Sequence, residues 1–124
     1  MKRILIADDD LVSRGLIRDV LEPQGFEVIE ASDGEEALSR ILEAQPDLIL
    51  VDIQMPRLGG YGVLQRLRED PRFRAIPVAA VSALAMQTDQ QRGIMFDAYI
   101  TKPISPAALR AQVRSLLLIR ETAQ

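Results

Sequence analysis

The chain contains no cysteine and no histidine. Without cysteine there are no disulfides, no thiol nucleophile and no thiolate metal ligand. Without histidine there is no imidazole acid or base, and zinc or haem sites built on either residue are excluded. Aromatic residues are scarce, at 4%. They are not interleaved with basic residues, which argues against a base-stacking nucleic-acid surface. The net charge is only −3, so no global field directs the chain to a polyanion or an acidic membrane. Long apolar runs are also missing. Met1-Lys2-Arg3 leads into four apolar residues before Asp8, too few for a signal peptide's apolar region. No run approaches the roughly 18 apolar residues of a membrane span. These absences predict a soluble, cytoplasmic protein with neither a direct nucleic-acid partner nor membrane insertion. Lysine is the last rarity: of 15 basic residues, all but Lys2 and Lys102 are arginine. A mid-chain lysine in such a sequence needs its own explanation, because a compact, movable ammonium suits a small anion.

What is present begins with Leu48 to Pro56, Leu-Ile-Leu-Val-Asp-Ile-Gln-Met-Pro. Four aliphatic residues running into Asp52 suit a strand buried on both faces. Asp52 then falls at the strand's C-terminal end, where open α/β sheets place their ligand sites. At 124 residues the chain suits one domain with a substantial core.

Taken in order, Arg3 to Ala7 reads as a first strand. Leu11 to Glu22 reads as a helix, with Val12, Leu16, Ile17, Val20 and Leu21 at helical spacing, Asp10 as its cap and Pro23 and Gly25 ending it. Phe26 to Glu30 is a second strand, nearer an edge. Ser32 with Glu35 has the capping-box spacing for a second helix, whose buried stripe is Ala37, Leu38, Ile41 and Leu42. After the Asp52 strand, Gly59 and Gly60 lead to a third helix from Tyr61 to Arg68, with Val63, Leu64 and Leu67 inward. Val78 to Val81 is a fourth strand, followed by Ser82. Met86 to Met95 carries a weakly periodic fourth helix. Ala98 to Thr101 is a fifth strand before Lys102-Pro103. Ser105-Pro106 starts a last helix, with Leu109, Val113, Leu116 and Leu117 inward. Alternating strands and helices predict an α/β fold, an open parallel sheet with helices on both faces.

In a parallel sheet these strand ends share one edge, so Asp8 and Asp9, Asp52, Ser82 and Lys102 converge there. Crowded carboxylates repel and favour a hard cation. An all-oxygen donor set points to Mg²⁺. A hydroxyl and an ammonium around the same point make a site for a tetrahedral oxyanion. A carboxylate inside it can accept a phosphoryl group.

These residues resemble the receiver domain of two-component response regulators, of the single-domain chemotaxis and cell-cycle type. The matching stretches are Ile4-Leu5-Ile6-Ala7-Asp8-Asp9-Asp10, Val51-Asp52-Ile53-Gln54-Met55-Pro56, Gly60, Val81-Ser82-Ala83 and Tyr99-Ile100-Thr101-Lys102-Pro103. The resemblance covers residues 1–124 and implies one receiver domain with no output domain. It implies the flavodoxin-like, doubly wound strand order 2-1-3-4-5. It also implies that Asp52 accepts a phosphoryl group from a sensor histidine kinase or phosphotransfer protein, with Mg²⁺ held by Asp9, Asp52 and the Gln54 backbone carbonyl. Asp8 would act largely through metal-bound water. Ser82 and Lys102 would engage the phosphoryl group, and Tyr99 would turn inward as Ser82 moves. The protein would then be a switch rather than an enzyme. It would signal to a downstream protein through the face of the fourth helix, fifth strand and last helix, a candidate surface for homodimer formation too.

The chain departs from this pattern in three places. Gly59 stands where the family commonly has Asp or Asn, and two adjacent glycines predict a looser loop. The segment from Met86 to Asp97 is about two residues short by the family pattern, which predicts a short or irregular fourth helix. Leu116-Leu117-Leu118-Ile119 is more than one helical face can bury, so Leu118 or Ile119 faces outward. Two rival readings remain: a receiver-like binding module that is never phosphorylated, and a phosphatase of the haloacid dehalogenase type with Asp8 as nucleophile and Asp10 as acid–base. The second lacks acidic ligands after Lys102, since Pro103 to Gln124 holds no Asp and one Glu, Glu121.

Overall fold

A computed structural model describes residues 1–83 and 96–122, with side chains described as far as Leu118. The predicted fourth helix, Met86 to Met95, lies outside these residues. Five strands, β1 (Arg3–Ala7), β2 (Glu27–Ala31), β3 (Leu48–Asp52), β4 (Val78–Ser82) and β5 (Ala98–Thr101), form one sheet. Its order is β2-β1-β3-β4-β5 and its pairs are parallel, as the resemblance implies. The helices are α1 (Leu11–Leu21), α2 (Gly34–Ala44), α3 (Gly60–Glu69) and a last helix, α4 (Pro106–Thr122).

Side chains alternate across the strands and fill two apolar layers. Leu5, Ala7, Ile49, Val51, Val78 and Ala80 face Ala37 and Ile41 of α2 and Val63, Leu64 and Leu67 of α3. Ile4, Ile6, Leu48, Leu50, Ala79 and Val81 face Ile17 and Leu21 of α1 and Leu109, Val113, Leu116 and Leu117 of α4. Every residue of β3 and β4 is buried, which is why both read as unbroken apolar runs.

Three local expectations are corrected. On α1, Ile17 and Leu21 are buried, but Leu11, Val12 and Leu16 are exposed at 69%, 78% and 40%. The helix has two i, i+4 stripes about 100° apart, and only one can face the sheet. On α2, Leu42 faces solvent as well. The α2 cap is Asp33 rather than Ser32: Glu36 N–H donates to Asp33 Oδ1 at 2.8 Å, and the Ser32 N–H donates back to Glu36 Oε1 at 2.6 Å. The reciprocal cap is therefore shifted by one residue. Gly34, the first residue of the helix, packs so closely on Leu58 that a Cβ there would collide with the Leu58 backbone. Asp10 does cap α1, accepting from Val12 N–H at 3.0 Å. Leu118 faces outward, while the Ile119 side chain lies outside the described set.

Candidate functional site

The sheet register builds the site. Ala7 lies beside Val51, Asp52 beside Val81, and Ser82 beside Thr101. Asp8, Asp52, Ser82 and Lys102 thus leave neighbouring strands at one edge. Asp8 and Asp52 are buried, Asp9 is exposed, and carboxylate oxygens from all three lie within 4.8 Å of one another. Lys102 enters between the two buried members, with Nζ 3.0 Å from Asp52 Oδ2 and 3.1 Å from Asp8 Oδ2. The Asp52 contact is a hydrogen bond. Asp8 Oδ2 lies 3.1 Å from the ammonium and, among the described residues, has no partner besides it. Three oxygen donors, one of them buried and incompletely satisfied, fit a hard divalent cation.

The electrostatics follow from that crowding. Burial, the largest influence, pushes the Asp8 carboxyl above its ordinary value and the charge of Asp52 adds to it; the Asp10 N–H and Lys102 oppose. Burial alone would lower the Lys102 ammonium, but hydrogen bonds and charge from Asp52 and Asp8 outweigh it and raise it. Lys102 therefore stays charged and bridges two carboxylates that would otherwise repel each other.

Backbone contacts pin Asp8, Asp52, Ser82 and Lys102. Asp8 N–H donates to Ala31 O at 3.0 Å, and Asp10 N–H to Asp8 Oδ1 at 2.9 Å. Gln54 N–H donates to Asp52 Oδ1 at 3.0 Å, which sets Gln54 directly beside the cluster. Lys102 N–H donates to Ser82 O at 3.0 Å, tying β5 to the end of β4. Ser82 is buried at 3% exposure. Tyr99, three residues before Lys102, is half-buried and edge-on to Phe96 at 5.9 Å, which in turn contacts Tyr61 at 5.2 Å.

The glycine pair after Asp52 sits where the backbone passes too close for a side chain. A Cβ on Gly59 would come within 2.7 Å of Ile53 O, and one on Gly60 within 2.7 Å of Asp52 O. Both glycines permit the start of α3 to fold back against the end of β3. Arg57 adopts φ 68° in a tight turn in which Leu58 N–H donates to Pro56 O at 2.7 Å. Its guanidinium reaches Asp33 at 3.4 Å. Asp10 stands apart from the carboxylate cluster: it is spent on Val12 N–H and the Ser13 hydroxyl. Those hydrogen bonds, the Ser13 hydroxyl first, hold its carboxyl below the ordinary range, which is unsuited to a general acid.

Sequence reasoning missed Arg14. Its guanidinium donates to Asp8 O at 2.7 Å and to Glu30 Oε1 at 2.9 Å. A clue was available in the arginine one turn into the helix that follows the acidic triplet, opposite a glutamate at the end of β2.

Comparison with known proteins agrees with this geometry. The sequence profile of the response regulator receiver domain matches residues 4–114. The polar-differentiation response regulator DivK of Brucella anthropi is 41% identical over 118 residues, covering 94% of this chain and 96% of DivK. The protein named "Probable transcriptional regulator ycf27" of Cyanophora paradoxa is 41% identical over 94% of this chain but only 48% of its own length. The chain thus spans about half the length of the ycf27 relatives. Among solved structures, a CheY-like response regulator receiver domain protein from Methanospirillum hungatei superposes with a TM-score of 0.88 at 29% identity, covering 100% of this chain and 99% of the other. The receiver domain of a Pseudomonas aeruginosa sensor histidine kinase superposes with a TM-score of 0.85 at 27% identity, covering 94% and 97%; that protein has a magnesium ion coordinated in its active-site cleft. With the family profile matched over residues 4–114, a relative 41% identical over nearly its whole length, and the fold shared, this chain belongs to the response regulator receiver domain family.

Proposed function

We propose that the chain is a phosphorylation-dependent signalling switch in which residues 1–124 work as one receiver unit and Asp52 accepts the phosphoryl group. The observation that carries this reading is the Lys102 ammonium set between Asp52 and Asp8 at 3.0 and 3.1 Å. The hydrogen bond from Lys102 Nζ to Asp52 Oδ2 holds that carboxylate aimed into the cluster, where it can act as a nucleophile.

The donor is the phosphohistidine of a sensor histidine kinase or phosphotransfer protein. An Asp52 oxygen attacks phosphorus, the nitrogen–phosphorus bond breaks, an oxygen–phosphorus bond forms, and the imidazole leaves with the donor. Asp8, Asp9, Asp52 and the Gln54 backbone carbonyl would hold Mg²⁺, the ion coordinated in the cleft of the P. aeruginosa relative. When bound, the ion neutralises charge on the carboxylates and the phosphoryl oxygens.

The residues of the chain supply the rest. The Lys102 ammonium, already at Asp52 Oδ2, shifts to a phosphoryl oxygen. The Ser82 hydroxyl, at the end of the adjacent strand, donates to another. Its movement vacates space toward which Tyr99 turns, repacking the face made by β5 and α4. A downstream protein, or a second copy of the chain, reads that face. The receiver is consumed and restored by phosphoryl gain and loss; it does not turn over a separate substrate.

The test is transfer from a phosphohistidine-bearing donor protein labelled on phosphorus. Label should pass to the wild-type chain in the presence of Mg²⁺, not in excess chelator, and not to Asp52→Asn. Transfer that survives Asp52→Asn refutes the assignment. Wild type that takes no label from phosphohistidine or small-molecule donors would favour a silent binding module.

A further inference from the structure

The arginines of this chain mostly serve exposed surface pairs, and Arg14 does not. Its side chain is 15% exposed, against 43% for Arg18, 50% for Arg3 and 70% for Arg57. Its guanidinium is divided between a backbone carbonyl and a carboxylate: one arm donates to Asp8 O at 2.7 Å, and Nε donates to Glu30 Oε1 at 2.9 Å. Glu30 is held on its other side by Arg18, at 2.8 Å. The Asp8 carbonyl belongs to the peptide that carries Asp9. Two other polar groups of Asp8 are committed too, its N–H to Ala31 O and its Oδ1 to Asp10 N–H, while Oδ2 is left for the ammonium and the cation site. Arg14 thus holds the one peptide whose rotation would swing Asp8 and Asp9 relative to each other.

We propose that Arg14, braced by Glu30, is a positioning residue of the acceptor site, fixing the Asp8–Asp9 peptide so that both carboxylates are preset for the divalent cation. This rests on the phosphoryl-acceptor reading above and adds a residue to it. The proposal opposes simple electrostatics, which makes its sign informative. A guanidinium near a cation site repels the cation, so its removal should tighten Mg²⁺ binding if charge alone mattered. If positioning matters, removal loosens it. A hydrogen bond from a charged donor is worth roughly 10- to 100-fold in an equilibrium, and part of that is felt at the metal site.

The experiment is calorimetric Mg²⁺ titration of the full chain as wild type, Arg14→Met and Arg14→Lys, with amide exchange at Asp10 measured in chelator. Arg14→Met should weaken Mg²⁺ binding by about tenfold. Arg14→Lys keeps the charge and the fold, but an ammonium cannot reproduce the two-armed contact, so it should weaken binding by about threefold or more. Asp10 amide exchange should quicken in both. Arg14→Lys with wild-type affinity, or Arg14→Met with tighter binding, overturns the proposal. A variant that lowers only the melting temperature overturns it too. Wild type that fails to bind Mg²⁺ brings down the acceptor reading and this inference together, whereas wild-type binding with an unaffected Arg14→Lys sinks this inference alone.

Discussion

Replacing Asp8 with asparagine should stabilise the metal-free protein while weakening its hold on Mg²⁺. Asp8 is 1% exposed, and its oxygens lie within 4.8 Å of those of Asp9 and Asp52. At an effective dielectric of about 20, each like-charge pair at that separation costs about 3.5 kcal/mol before solvent screening, which discounts the exposed Asp9 heavily. The Lys102 ammonium at 3.1 Å returns about 5 kcal/mol on the same scale. The charge contributions nearly cancel, and desolvation of the carboxylate decides, in agreement with the raised Asp8 carboxyl. Asparagine keeps an Oδ1 acceptor for Asp10 N–H and removes the buried charge. The expected gain is about 1–2 kcal/mol at pH 7, or about 4–8 °C in melting temperature for a chain of this size.

The assay is thermal unfolding by circular dichroism in chelator, repeated with Mg²⁺. Saturating cation should raise the wild type by about 2.7 kcal/mol at one hundred times its dissociation constant and the variant by clearly less. The pH dependence has a fixed sign. Asp8 has a folded pKa above its ordinary 3.8, so its ionisation costs folding free energy as pH rises through that interval. The advantage of Asp8→Asn should be full above the folded pKa, fade as pH falls through it, and vanish below 3.8. A variant that melts at or below the wild-type temperature in chelator at pH 7 refutes this account of the cluster.

Other expectations can be checked by the same unfolding assay. Asp33→Ala removes the α2 cap and the Arg57 pairing and should cost about 1–2 kcal/mol, with Asp33→Asn recovering most of it. Gly60→Ala forces a Cβ to within 2.7 Å of Asp52 O, so it should destabilise by about 1–3 kcal/mol or more and slow phosphoryl uptake by displacing the acceptor strand. Leu118, 61% exposed on α4, should tolerate Asp with a stability change within about 0.5 kcal/mol. If that face mediates contacts, Leu118→Asp should reduce self-association or partner binding in sedimentation and pull-down experiments; unchanged association removes Leu118 from the interface.

The parts of this protein that were legible in its sequence share one cause. Strands buried on both faces show as continuous apolar runs, and parallel pairing places their ends together, so Asp8, Asp9, Asp52, Ser82 and Lys102 could be gathered before any coordinate was known. Features set by packing between elements were not legible. Val12 and Leu16 have the same spacing as Ile17 and Leu21, and only the sheet selects which stripe is buried. Ser32 and Asp33 are equally good caps with Glu35 and Glu36 three residues on, and the folded chain uses the second. Gly59 and Gly60 suggested freedom, yet they serve close approach to Asp52 and Ile53. Arg14 was not singled out because one of its two contacts is a backbone carbonyl; only its place one turn into the helix, opposite Glu30, marks it in the sequence.

The central claim, that Asp52 is the phosphoryl acceptor, is tested most directly by intact mass. Wild-type protein and Asp52→Asn are incubated with acetyl phosphate, each with Mg²⁺ and with excess chelator. The account predicts one phosphoryl adduct on the wild type with Mg²⁺, none in chelator and none on Asp52→Asn. An adduct of equal yield on Asp52→Asn, or sustained release of phosphate that depends on Asp8 and survives Asp52→Asn, would contradict it.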